Sequence, residues 1–285
     1  MGDIQLDYVI PGADLAPYVT LFYRFRADVP RFDDTERADH AQLRFRLSGG
    51  EAGYLFPDGS EQAAGSNHIL GPTTGAVRTR AEGPVHVFGM GLTPLGWSTM
   101  IGNNASVMAN RVLDADALFG PQVGSTALAL QGDADAEAMA VTVAPLLRSL
   151  IGGVAHRPAL AFVRAVDTWL AGAFSPEIED LATDTGLSRR QVERRCNAVY
   201  GAPPKLLARK YRALRAAVAL AKHDADVDAL IADGFYDQSH MIREIKHFTG
   251  LTPGQVRAEI APLTQLTMDG RRALGGMVHP IISET

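Results

Sequence analysis

The chain has 285 residues, a formal charge of −5 and a hydrophobic fraction of 46%, proportions of a globular protein of about two domains. No apolar run approaches the ~18 residues of a membrane span, and the N-terminus lacks the basic stretch and apolar core of an export signal. The single cysteine, Cys196, excludes an internal disulfide framework and fits a reducing cytoplasm.

Residues 1 to about 130 read as mostly β. Tyr18–Arg26 and Gln42–Leu47 alternate or run apolar with β-branched and aromatic residues. Tyr54–Phe56, His68–Leu70, Ala76–Thr79 and Val85–Met90 are short, and Gly, Pro, Asn and Asp separate them. That pattern predicts a sandwich or barrel rather than α/β. Arg44 and Arg46 flank Phe45 and so point away from the face of Leu43, Phe45 and Leu47. Two placements are open: solvating the outside, the commoner case, or lining an interior that meets an anionic effector. Tyr23, Tyr54, Phe88 and Trp97 similarly either wall a pocket or form core, and core is the commoner outcome. His40, His68 and His86 lack close ligand spacing, so neither metal nor cofactor is expected.

Thr93–Ile101 begins a helical region, Asp114–Phe119 reads as a short helix, and Asp133–Ile151 as an amphipathic one capped by Asp133 or Asp135. Its Met/Val/Leu stripe serves either the domain core or a second chain. Pro145 is expected to kink it. Gly152-Gly153 and His156–Pro158 mark the expected domain boundary, and Pro158–Leu170 a lead-in helix. Ser175-Pro176-Glu177 then caps Ile178–Ala182, with Gly186-Leu187 as a turn and Ser188 as the N-cap of a helix burying Val192, Cys196 and Val199. Pro203-Pro204 opens an unbroken helix to Lys222. A second helix-turn-helix pattern runs Val227–Pro253, with a turn at Gly234-Phe235, Asp237 as N-cap, and Met241, Ile245 and Phe248 as its apolar stripe. After Pro262 the tail carries no motif.

Charge divides along the chain. Residues 1–155 hold 10 Lys+Arg against 17 Asp+Glu, whereas Ser188–Lys222 holds 10 against the single Glu193. Such a local excess is the electrostatic footprint expected at phosphate. The Lys205–Lys222 helix is roughly 27 Å long, and successive major grooves on one side of B-DNA lie about 34 Å apart. A connector of that length suits two recognition helices in neighbouring grooves.

The stretch Gly234–Arg257 (GFYDQSHMIREIKHFTGLTPGQVR) resembles the C-terminal signature of AraC/XylS-type transcription regulators, and Ile178–Gly201 and Pro203–Leu220 resemble the same family in order and spacing. The resemblance covers about 156–260. It implies that the helix after each turn reads DNA, through Arg189, Arg190, Glu193 and Arg194 in the first unit and Gln238, Ser239, His240 and Arg243 in the second. Arg190 and Arg194 meet either base edges or phosphate, and Glu193 accepts from cytosine or orients a neighbouring arginine. Lys205, Arg209, Lys210 and Arg212 on the connector are assigned to phosphate, with Arg215 as a further surface cation. Departures from the family pattern are Cys196, Met241 and Ile245 where large aromatics are usual, and Leu230 where Ala is usual. These imply a slightly altered packing angle in the second unit. Cys196 itself reads as a small core residue rather than a redox sensor.

The N-terminal part resembles the cupin-like sensor half found ahead of such DNA-binding domains, with Pro57–Gly59 and Gly71–Gly75 (GPTTG) read as turns. The expected architecture is α+β multidomain: 1–152 a cupin-like sensor and dimerisation domain, 156–262 an all-α tandem helix-turn-helix domain, 263–285 a tail. The expected function is a cytoplasmic, non-enzymatic regulator binding double-stranded DNA. Its expected partners are a small-molecule effector, a second copy as homodimer and, for an activator, RNA polymerase, with no membrane. The competing readings are a cupin-type metalloenzyme with a DNA-targeting domain, and a ligand-independent regulator whose N-terminal domain only dimerises.

Overall fold

The computed structural model describes residues 4–133, 135–152, 160–222, 226–258 and 262–285. Ten strands come first: β1 (Ile4–Val9), β2 (Val19–Ala27), β3 (Arg31–Glu36), β4 (Gln42–Arg46), β5 (Ala52–Leu55), β6 (Glu61–Ala63), β7 (Asn67–Leu70), β8 (Val77–Glu82), β9 (Val85–Leu92) and β10 (Val112–Asp114). They form two antiparallel sheets, ordered β1-β2-β9-β4-β7-β10 and β3-β8-β5-β6. Around and after them run α1 (Pro94–Met100), α2 (Ala115–Phe119), α3 (Gln122–Leu130) and α4 (Ala136–Gly152). The helical domain follows as α5 (Leu160–Gly172), α6 (Ile178–Thr185), α7 (Arg189–Tyr200), α8 (Pro204–Ala221), α9 (Val227–Gly234), α10 (Gln238–Thr249) and α11 (Pro253–Ala258). The chain closes with α12 (Pro262–Ala273) and α13 (Pro280–Ser283).

Alternation decides which face of the larger sheet meets what. Phe22, Leu43, Phe45, Ile69, Phe88 and Met90 point outward into a core shared with Trp97 of α1 and with Met139, Val143 and Leu147 of α4. The α4 stripe is therefore internal core, and Pro145 sits inside the helix without ending it. Asp135, not Asp133, supplies the cap, accepting from Ala138 N at 2.8 Å. The opposite sheet face, with Tyr23, Phe25, Arg44, His68 and Val87, looks toward the smaller sheet across a cavity. Arg44 is 7% exposed, so the outward placement of this arginine is overturned in favour of the interior one. Phe88 and Trp97 are core, whereas Tyr23 and Tyr54 line the cavity.

Six strands stand close to their expected positions, but β1, β3, β6 and β10 lie outside them. The sequence of β3, RFDDTE, buries only Phe32 because the strand is a sheet edge whose Asp33 faces Arg78 and Arg80, while Glu36 turns to Arg44. The β reading to residue 130 is also corrected. Residues 122–130 are helical and bury Val123 and Leu130. The expected boundary at Gly152-Gly153 and His156–Pro158 falls largely on residues 153–159, outside the described residues.

Helix α8 is the spine of the helical domain. Its Leu207 and Tyr211 join α5 and α7 in one core, with Val166, Leu181, Val192 and Cys196. Further along, Ala213, Leu214, Ala217 and Leu220 pack with Met241, Ile245 and Phe248 of α10. The tail is not an appendage. Helix α12 packs on β1 and β3, and α13 packs on α5.

Inside the sheets, Arg44 donates to Glu36 (Nη1–Oε1 2.9 Å) and to the Tyr54 hydroxyl at 2.9 Å, which in turn lies 2.8 Å from His68 Nε2. His68 Nδ1 is 2.8 Å from the Gly65 carbonyl, an acceptor, so Nδ1 carries the proton and Nε2 accepts from Tyr54. Burial, and then the Arg44 charge, push the His68 pKa down to about 4. Between that value and the ordinary ~6.5 the unfolded chain takes up a proton that the folded chain refuses. Stability is therefore expected to fall by roughly 3 kcal/mol from this group as pH drops from 7 to 4. His86, lowered to about 4 chiefly by burial, acts in the same direction. Denaturant titrations at several pH values check this, with His68→Gln expected to flatten the slope.

Candidate nucleic-acid interface

Each helix-turn-helix unit is built by local chemistry the sequence makes visible. Gly186 closes α6 at φ 64°, a left-handed conformation that disfavours side chains. Ser188 and Gln191 then form a reciprocal capping box that starts α7. Within the expected Ser175-Pro176-Glu177 cap of α6, Glu177 is the N-cap; it makes no side-chain capping bond, and its carbonyl accepts from Trp169 Nε1 at 2.6 Å. In the second unit Asp237 caps α10, accepting from His240 N at 2.6 Å. Gly234 ends α9 for a different reason than Gly186, since a Cβ there would meet Arg212 Cδ at 2.6 Å and the Phe174 ring at 2.9 Å.

With Val192 and Cys196 buried, α7 presents Arg189, Arg190, Glu193 and Arg194 to solvent. Arg189 also reaches Glu179 at 3.0 Å while staying 68% exposed. Burial pushes the Cys196 thiol up to about 12, in keeping with an inert core residue. With Met241, Glu244, Ile245 and Phe248 buried, α10 presents Gln238, Ser239 and Arg243. His240 is half-buried, its ring edge-on to Phe235 and its Nδ1 accepting from Tyr236 N at 3.2 Å. Tyr236, 91% exposed in the turn ahead of α10, is a residue the motif reading passed over. An aromatic between the turn and the cap is the signal that marks it.

The connector cations behave differently from expectation. Lys210 is buried, 3.4 Å from the Asp39 carbonyl, with its pKa pushed down to about 8 by burial. Arg209 forms a two-pronged pair with Glu244 at 2.8 and 2.7 Å. Arg212 donates to Ser175 Oγ at 3.0 Å and lies over Phe235. Arg215 donates to the Leu170 and Ala173 carbonyls. Burial works against the Glu244 charge, yet Arg209 and Arg212 hold its carboxyl below the usual range. Phosphate contact is therefore withdrawn for Lys210 and Arg212, which bond within the fold, and of the four connector cations assigned to phosphate Lys205 is the exposed one.

Helices α7 and α10 both end against the sheet domain. Ala105 N and Ser106 N donate to the Ala198 and Asn197 carbonyls of α7, at 2.9 and 3.0 Å. Ala38 N and Ala76 N donate to the Phe248 and His247 carbonyls of α10, at 2.7 and 2.8 Å. A helix C-terminus leaves its last carbonyls short of partners, and here the Asn197 carbonyl also accepts from Gly201 N at 3.2 Å. Each helix then stops at a left-handed glycine, Gly201 (φ 79°) beneath Pro72 and Gly250 (φ 78°) beneath Thr35. The GPTTG stretch is thus a docking edge as well as a turn, with Thr74 O accepting from His247 Nε2 at 2.9 Å.

Residues 181–259 match the family described as a helix-turn-helix domain, and residues 8–114 match a domain of unknown function, DUF6597. Among solved structures the chain is similar to ToxT from Vibrio cholerae, at 10% identity over 82% of this chain and 97% of that one, with a TM-score of 0.45. Against ToxT of Vibrio cholerae strain SCE256 bound to an unsaturated fatty acid, the identity is 9% over 84% and 97%, with a TM-score of 0.45. The AraC-like transcriptional activator CuxR is similar at 14% identity over 74% and 86%, with a TM-score of 0.31. No curated protein matches the chain.

A side chain at Gly250 meets both a left-handed backbone and Thr35 Cγ2 at 2.4 Å. Gly250→Ala is expected to cost at least about 1–2 kcal/mol and to raise hydrogen exchange at the Ala38 and Ala76 amides. An unchanged melting temperature and unchanged exchange would show that this docking is not formed in solution.

Proposed function

We propose that the chain, whose residues 181–259 match a helix-turn-helix domain, is an AraC-type regulator that controls transcription by reading DNA with α7 and α10 in successive major grooves. The observation that carries this reading is the pairing of two capped helices with exposed polar faces on a single spine, α8, of 18 residues. At 1.5 Å per residue the spine spans roughly 27 Å, close to the ~34 Å repeat of B-DNA. Arg190, Arg194 and Arg243 are the base-reading candidates, Gln238 and Ser239 line the helix entry, and Lys205 contacts phosphate. Arg189 and Glu193 orient the first set. The sheet domain modulates binding through its caps on both helix ends, and the cavity between its sheets is the effector site. Among the described residues no helix is long and apolar enough to cross a membrane, and no cluster of three metal-ligating side chains occurs. Leu128 of α3 and Val141 of α4, 70% and 73% exposed, mark the face for a second copy.

Selection of bound sequences from a random duplex pool by the full chain is the direct test. It is expected to return a bipartite motif with halves about 10 base pairs apart. Arg190→Ala or Arg194→Ala is expected to weaken the selected site by roughly 5- to 150-fold, the equivalent of about 1–3 kcal/mol, with little effect on random DNA. Equal losses on both would assign these arginines to phosphate. Lys205→Ala is expected to weaken both DNAs alike and to lower the salt slope by about one. A slope left unchanged removes Lys205 from the interface.

A further inference from the structure

The cavity between the sheets is not an ordinary core void. It encloses about 110 Å³ and is closed on one side by Leu263, Thr264, Thr267 and Arg271 of α12. Phe25, Phe32, Val85, Val87 and Leu263 make one end apolar. The other end is charged. Among the described residues that line it, Arg37, Arg44, Arg46 and Arg271 face only Glu36 and Asp39. Arg44 is fully engaged by Glu36, Gln42 and Tyr54. Arg37 is not: its side chain is 8% exposed, its contact with Asp39 is long at 3.6 Å, and its Nε and Nη1 are buried without a hydrogen-bond partner. Arg271 pairs with Asp39 through Nη2, while its Nε is likewise buried and unpartnered. Arg46 Nε is a fourth such donor.

Buried guanidinium donors without acceptors, in a space with two positive charges in excess, are costly unless an anion fills the space. The volume is on the order of the ~150 Å³ that accommodates benzene, which sets the size of the occupant. We propose that this cavity binds a compact monoanion with an apolar body, an aryl or branched alkyl carboxylate, whose acidic group is held by Arg37 and Arg271. Its apolar body lies against Phe25, Phe32 and Val87. The proposal deepens the effector reading above, and its binding step does not depend on DNA recognition.

The same few residues pass occupancy to the DNA-binding helices. Thr35, Glu36, Arg37 and Asp39 are cavity wall, yet Ala38 N caps the Phe248 carbonyl of α10, and Thr35 lies against Gly250. The Asp39 carbonyl accepts from Lys210, and His40 Nε2 is 3.0 Å from the Tyr211 hydroxyl, both on α8. A carboxylate on Arg37 and Arg271 competes with Asp39 for the guanidinium groups that hold this segment.

The test is calorimetry of the full chain with benzoate and 3-methylbutanoate beside their neutral isosteres benzamide and 3-methylbutanamide. Each carboxylate is expected to bind roughly tenfold or more tightly than its amide. Arg37→Gln and Arg271→Gln are each expected to erase that preference; each also removes a partner of buried Asp39, so a lowered melting temperature is expected and a cooperative melt shows that the variant is folded. Should Arg37→Gln fail to fold, Arg271→Gln decides alone. Absence of binding by both carboxylates, amides binding as well as carboxylates, or variants that keep the preference would overturn the proposal.

Affinity for a random-sequence duplex, measured on the same preparations, separates the two readings. Carboxylate binding that shifts this affinity by about fivefold or more supports the transmission step, and carboxylate binding without any shift overturns that step. A wild-type chain that binds DNA but shows no preference for carboxylate over amide overturns the cavity assignment alone. A chain that binds carboxylate but never DNA overturns the regulator reading and leaves the cavity standing.

Discussion

At the ends of α7 and α10 the sheet domain supplies partners to carbonyls of the last turn, those of Asn197, Ala198, His247 and Phe248, of which Asn197 also accepts from Gly201 N. Two backbone N–H groups meet the end of each helix, from residues 105 and 106 on one and from 38 and 76 on the other. Buried backbone acceptors must be paired, so these four bonds resist sliding and rotation in a way that apolar contact does not. The helices are therefore held by three things at once: their packing on α8, their N-terminal side-chain caps, and a foreign domain at their C-termini. Their spacing is a property of the whole chain rather than of the 181–259 segment alone.

Around that contact the charges sort themselves. Asp39 lies buried among Arg37, Arg271 and His40. Burial raises the cost of its charge, but the Arg37 charge and the His40 bonds prevail and hold its pKa down to about 2. On the far side of the same backbone, Lys210 reaches the Asp39 carbonyl. The basic excess of Ser188–Lys222 is thus shared between two tasks. Arg189, Arg190, Arg194, Arg195 and Lys205 remain on the surface, whereas Lys210, Arg212 and Arg215 fasten α8 to the sheet domain, to Ser175 and to α5. In the first half several carboxylates are paired locally, as in Asp7–Arg24 and Asp33–Arg78.

The tail shows the same economy. Gly270 permits α12 to lie on the Tyr8 ring, where a Cβ would come within 2.7 Å. Thr267 hydrogen-bonds the Tyr8 hydroxyl, and Arg271 reaches across to Asp39. A segment that follows the helix-turn-helix domain in sequence thereby forms part of the cavity between the sheets. One ion-paired position, Asp39, is adjacent to the cavity, to α8 and to α10.

Much of the DNA-binding half was legible in the sequence because its determinants are local. A left-handed Gly186, the Ser188 capping box, the Asp237 cap and the 3.6-residue apolar stripes each depend on residues a few positions apart. The same locality made Arg190, Arg194 and Arg243 readable as exposed residues, since each lies off its helix's apolar stripe. What only the tertiary structure decided depends on distant chain segments meeting. Alternation placed Arg44 opposite Phe45, but which sheet face is interior was settled by α1–α4 covering the other one. Lys210 and Arg212 look like surface cations until Asp39 and Ser175 come within reach from 171 and 37 residues away. The role of α12 has no local signature at all, because a helix acquires a partner only when the fold brings β1 and β3 beneath it.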